Sequence, residues 1–203
     1  MMKKLALSFG SYTKAQEILL LRKGVKPVVR QGFYQPELPA IERYCLENKL
    51  HLVTSTFKVL LADYTPYSNK GIRVPAKDKR EGMFFVYISN DEEKAWLAAY
   101  YELMNNHKDL GAVLGYPACC VDYFMKAFSA KNPNPVHSPT NAWTNLTQRD
   151  NDAVLISHFP CSSDCQESMV LARKTADVIA KHDTQRVRHV LRLLQVKKDE
   201  VGE

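Results

Sequence analysis

Long apolar runs are missing from this chain: no stretch approaches the roughly 18 consecutive apolar residues that a membrane span requires. The run behind the opening Met-Met-Lys-Lys, Leu5 to Phe9, is far too short for the hydrophobic region of a signal peptide. The sequence alone therefore points to a cytoplasmic protein with no membrane association. Cysteine is scarce and odd in number, five residues in all. That excludes a fully paired disulfide framework, and in a reducing compartment it makes the thiols candidate ligands or reactive groups. Gly-x-Gly-x-x-Gly, a phosphate-binding Walker loop and His-Glu-x-x-His are all absent, so nucleotide hydrolysis and zinc proteolysis lack their usual signatures. Internal repeats and low-complexity tracts are absent too.

What is present suffices for one core. With 203 residues and 45% hydrophobic content, the chain reads as a single domain, 1–203, with two sub-regions, 1–90 and 91–203. The net charge is +6, and the excess is local: Lys3, Lys4, Lys14, Arg22, Lys23, Lys26 and Arg30 face a single early acid, Glu17. Such a segment suits a polyanion or the solvated face of a first helix.

The pattern predicts an α/β (α+β) fold: a small sheet with helices in the N-terminal half, then a helical half. Leu5 to Phe9 is expected as a short strand, followed by helices over about Thr13 to Lys23 and Leu38 to Asn48. Cys45 sits at helical spacing with Ile41 and reads as a small buried hydrophobe. Leu52 to Leu61 alternates like a half-buried strand, whereas Met83 to Ser89 is apolar on both faces, as in a central strand. Tyr64 to Gly82 reads as an exposed loop with a possible short strand at Ile72 to Val74. Its tyrosines and cations make Lys70 and Arg73 candidate groups for binding a cofactor, RNA or a phosphorylated small molecule. Helices are expected over about Asp91 to Asn106, Pro117 to Ala130, Asp164 to Lys181 and Thr184 to Val196, with a long connection over Lys131 to Asp152.

Two segments hold four of the five cysteines. One reads Gly115-Tyr116-Pro117-Ala118-Cys119-Cys120-Val121, and the other His158-Phe159-Pro160-Cys161-Ser162-Ser163-Asp164-Cys165. Pro117 suits a helix start, which places Cys119 and Cys120 in a first turn. Ser163 with Gln166 forms a capping-box pattern that starts a helix at Asp164. Both pairs then lie at helix N-termini, where the dipole favours the thiolate that binds metal. Cys119, Cys120, Cys161 and Cys165 are the candidate metal ligands. His158, Asp164 and Tyr116 are the candidate catalytic groups, with Ser162, Ser168 and Asp122 close by.

Neighbouring cysteines in one helical turn point about 100° apart, which suits a wide iron–sulfur cluster better than one small ion. An iron–sulfur cluster is therefore the first expectation and zinc the alternative. The two cysteine segments resemble those of an uncharacterised prokaryotic family, the domain of unknown function 483, over about Lys58 to Lys181. The resemblance implies that the cysteines and His158 form one unit and implies no reaction. The leading expectation is an enzyme of redox or sulfur-transfer type. A structural zinc site in a nucleic-acid-binding or adaptor protein is one rival. A metal-free thiol enzyme, with Cys119 or Cys161 as nucleophile and His158 as base, is the other.

Overall fold

The computed structural model describes residues 2–62 and 70–195. Eight helices and four strands occur among them: α1 (Met2–Phe9), α2 (Tyr12–Arg22), β1 (Val28–Tyr34), α3 (Leu38–Glu47), β2 (His51–Leu61), β3 (Gly71–Pro75), β4 (Met83–Ser89), α4 (Glu92–Leu103), α5 (His107–Val113), α6 (Ala118–Ala127), α7 (Gln166–His182) and α8 (Thr184–Leu194). The sheet is antiparallel throughout, in the order β1-β4-β2-β3. The expected α+β architecture is what the chain forms.

β4 pairs with β1 on one side and β2 on the other, and helices cover both of its faces, which is why both are apolar. One face packs with α1, α2 and α3 around Phe9, Ile18, Val29, Phe33, Ile41, Val86 and Ile88. The opposite face meets α4 and α5 through Val28, Val53, Tyr87, Ala95, Ala98 and Leu110. A third cluster joins α7 and α8 to the 143–159 connection, through Trp143, Leu146, Leu155, Phe159, Ala172, Ile179 and Val190. The short strand β3 lies at the expected place on the sheet edge.

Several expectations need correcting. Leu5 to Phe9 is helix: Met2, Leu5 and Phe9 are buried at helical spacing, a period visible only when Met2 is counted. β1 has no counterpart in the sequence reading. Arg30 and Gln31 interrupt its apolar pattern, and both are held inside by partners described below. α5 was likewise not expected; it follows a break at Asn105, whose φ is +55°, and Asn106 caps it by accepting the Asp109 N–H at 3.2 Å. Gly111 lets α5 lie close to α6, since a Cβ there would stand 2.5 Å from Val121 Cγ2. At Gly115, φ is +76° and a Cβ would meet Pro27 Cδ at 2.7 Å. Glycine is thus required where the chain turns into the first cysteine segment.

α2 joins the two halves and is buried along most of its length. Asp152 accepts the N–H groups of Tyr12 at 3.0 Å and Thr13 at 3.3 Å, at the start of α2. Gln16 Nε2 donates to the Val154 carbonyl at 3.0 Å, and Lys26 Nζ to Ser157 Oγ at 2.7 Å. These bonds lay the 152–158 segment along α2 and deliver His158 and Cys161 to the end of α6.

Candidate metal centre

Pro117 is the N-cap of α6, with φ −57° and ψ 135°, so Cys119 and Cys120 are the second and third helical residues. Their sulfurs point to a common spot. Cys119 Sγ and Cys120 Sγ are 3.8 Å apart, contrary to the expected divergence of adjacent cysteines. Cys165 Sγ lies 3.8 Å from Cys119 Sγ and 3.6 Å from Cys120 Sγ. With Cys161, all four sulfurs fall within 4.8 Å of one another.

The second segment reaches this spot through a tight turn. Cys165 N–H donates to the Ser162 carbonyl at 3.2 Å, and Cys161 N–H donates to Cys120 Sγ at 3.4 Å. Cys165 is itself the N-cap of α7, two residues later than the capping-box pattern implies. Ser163 has other work: its Oγ accepts the N–H groups of Thr140 at 2.7 Å and Asn141 at 2.9 Å, while Thr144 Oγ1 donates to its carbonyl. The 140–144 loop thus braces the cysteine turn, and its Trp143 is buried in the apolar cluster around α7 and α8.

Behind the sulfurs runs a short polar chain. Ser168 Oγ is 3.3 Å from Cys120 Sγ and 2.8 Å from His158 Nε2, and both Ser168 and His158 are buried. Tyr116 packs its ring against His158, with centroids 5.2 Å apart. Burial, reinforced by the charges of Lys26 and Arg149, pulls the His158 pKa down to about 3, so the ring is neutral at pH 7. His158 and Tyr116 therefore join the cysteines as a unit. Asp164 is exposed and accepts from Thr140 Oγ1 at 3.3 Å; Asp122 and Ser162 are exposed as well.

The thiols differ in acidity. Burial pushes Cys120 well above the ordinary thiol range. It also raises Cys161 to about 11, with Cys165 and Cys119 adding to the effect. Burial acts the same way on Cys165, but Ser168, Cys120 and Cys161 outweigh it and lower the value to about 7. One thiolate is therefore accessible near neutral pH before any ion arrives, and the N-termini of α6 and α7 both favour it. Cys45 lies in the N-terminal core, buried and raised to about 12, an inert residue as expected.

Several of the basic groups singled out in the sequence are engaged within the fold. Arg73 Nη1 donates to the Glu102 carbonyl and to Asn105 Oδ1, both at 3.1 Å, and its guanidinium lies 4.0 Å from the Phe57 ring centroid. Lys70 is exposed at the head of β3. Arg30 pairs with Glu102 through Nε and, at 2.7 Å, through Nη2. Lys14 Nζ donates to the Gly32 carbonyl at 2.7 Å, Lys26 pairs with Glu17 at 2.6 Å, and Arg80 pairs with Asp78 at 2.8 Å. Tyr64 and Tyr67 lie outside the described residues.

Sequence reasoning missed one feature beside the centre, the buried pair Lys26–Glu17. Burial alone would lower the Lys26 pKa, but Glu17 and Tyr116 together hold it raised. With Gln16, Ser157 and His158, the pair lines a narrow cleft of about 40 Å³. Glu17, alone among the apolar residues Ile18 to Leu21, was the only trace of it in the sequence.

No family model matches the chain, and no curated protein and no solved structure matches it either.

Proposed function

We propose that Cys119, Cys120, Cys161 and Cys165 hold a single tetrahedral zinc ion, and that this ion organises the C-terminal half of the protein. The observation that carries the reading is the sulfur spacing. Four thiolates about 2.3 Å from one zinc stand about 3.8 Å from each other; Cys119, Cys120 and Cys165 are already separated by 3.6, 3.8 and 3.8 Å, and Cys161 Sγ lies within 4.8 Å of each. A cluster distributes four thiolates over two or four irons and so spreads at least some of them wider than the edge of a one-ion tetrahedron. That consideration ranks zinc above the iron–sulfur cluster that the sequence suggests first.

Tetrathiolate zinc sites with all positions filled by protein are typically structural. The environment supports that role: Cys120 and Cys165 are buried, and two helix N-termini offset the negative charge. His158 then acts through Ser168, holding its hydroxyl against Cys120 Sγ. In the basic segments that suggested RNA or a phosphorylated metabolite, Lys14, Lys26, Arg30 and Arg73 are committed to internal partners, and the proposal names no polyanionic substrate.

Anaerobic purification with metal and acid-labile sulfide analysis tests the reading. One zinc per chain in colourless protein, lost in Cys120→Ser, is the expected result. Brown protein holding iron and sulfide would replace zinc with a cluster, and protein that takes up no metal would overturn both.

A further inference from the structure

The four sulfurs are not equivalent. Cys120 and Cys165 are buried. Cys120 Sγ receives the Cys161 N–H at 3.4 Å and lies 3.3 Å from the Ser168 hydroxyl. Cys161 is half-buried. Cys119 alone is exposed, and among the described residues its sulfur meets only the other sulfurs, with no N–H or O–H donated to it. Hydrogen bonds withdraw electron density from a metal-bound thiolate, and burial blocks approach to it. An exposed thiolate without such bonds keeps its nucleophilicity.

Four thiolates around a divalent ion carry a net charge of −2, which makes the sulfurs electron-rich. Building on the zinc reading, we propose that Cys119 is the reactive thiolate of the centre, an alkyl acceptor for small, soft carbon electrophiles arriving from solvent. In the step, a lone pair of Cys119 Sγ attacks the carbon and a sulfur–carbon bond forms. The bond from that carbon to its leaving group breaks, and the leaving group departs with the bonding pair. No proton moves, and no outside oxidant or reductant is needed. The thioether product is neutral and a poor zinc ligand, so the centre passes from −2 to −1 and opens on its solvent side. Cys120, Cys161 and Cys165 keep their anionic sulfurs. Alkylation at one atom thereby becomes a change in the coordination of the whole C-terminal half.

The test uses the full chain with zinc loaded and its metal content measured beforehand, so that failure of the zinc reading shows before any reagent is added. Iodoacetamide is supplied below one equivalent, and the labelled cysteines are mapped by mass spectrometry while released zinc is followed with a chromogenic chelator. Cys119 should carry at least about ten times the label of any other cysteine, and zinc release should rise with that label. Cys119→Ser should retain zinc through the other three sulfurs and react about ten-fold more slowly. Buried Cys45 serves as the unreactive internal control. Label shared evenly among the four, label concentrated on Cys161, or an unchanged rate in zinc-loaded Cys119→Ser would each overturn the proposal.

Discussion

The two halves of the molecule are held together by different means. In the N-terminal half, a four-stranded sheet is covered on both faces, and its order comes from many apolar contacts of similar kind. In the C-terminal half, the connection from Phe128 to Cys165 contains only one short 3-10 turn, Arg149–Asn151, and an isolated bridge. There an apolar cluster around α7 and α8 is supplemented by individual groups that fix the irregular connection: four sulfurs, Asp152 at the start of α2, and the Ser163 hydroxyl between two loops. Distributed burial tolerates the loss of one contributor far better than point attachments do. The largest expected effect is therefore metal removal. A chelator should strip hydrogen-exchange protection from residues 117–168 while the amides of β2 and β4 stay protected, and it should lower the Tm by roughly 10 °C or more. Equal loss of protection in both halves would erase the distinction.

Next in size is a point attachment on which the sheet also depends. Glu102 is buried and accepts from Arg30 and, at 3.0 Å, from Tyr87 Oη, with Arg73 Nη2 at 3.7 Å. Burial opposes its ionisation, but Arg30, Tyr87 and Arg73 together hold its pKa below the usual carboxylate range. Glu102→Gln should cost about 3 kcal/mol by leaving guanidinium charge unpaired, measured by urea unfolding, with zinc content unchanged. The sign in acid follows from the lowered value: the stabilisation is complete above the ordinary carboxylate pKa and is lost as pH falls through the folded value. A parallel loss of zinc would show that the halves are coupled through α4 after all.

The same contrast explains what could be read from the sequence. β4, β2 and α4 were legible because hydrophobic periodicity is an average over many residues, and the cysteines were legible because their chemistry is rare. β1 was not, because Arg30 and Gln31 look like surface residues until Glu102 and Glu17 are placed beside them. Lys26 is hidden for the same reason: only a fold that brings Glu17 and Ser157 together makes its burial tolerable. α1 was misread because its period begins at Met2, ahead of the short run that caught attention.

A third, smaller effect concerns pH at the centre. Free histidine takes a proton near pH 6.5, whereas folded His158 resists it down to about 3. Between those values the unfolded chain binds the extra proton, so stability falls as pH falls. From pH 6.5 to 5.5, with zinc in excess, wild type should lose about 1 kcal/mol more than His158→Gln, whose side chain does not titrate. Identical slopes would mean that His158 is accessible to protons in the folded protein, and that the Ser168–Cys120 contact does not depend on a neutral ring.

The smallest effect separates two roles for one hydroxyl. If Ser163 capped α7, as its spacing to Gln166 suggests, Ser163→Ala would fray the first turn of that helix and speed exchange at Gln166, Glu167 and Ser168. In the fold, Cys165 holds the cap position, and Ser163 Oγ accepts from Thr140 and Asn141 instead. Ser163→Ala should therefore speed exchange at Thr140 and Asn141, leave the amides of α7 unchanged, and cost about 1 kcal/mol. Because Ser163 lies between Cys161 and Cys165, a loosened 140–144 loop should also raise the zinc dissociation rate without altering stoichiometry. A point attachment two residues removed from the ligands on either side would then be seen to set how long the metal stays.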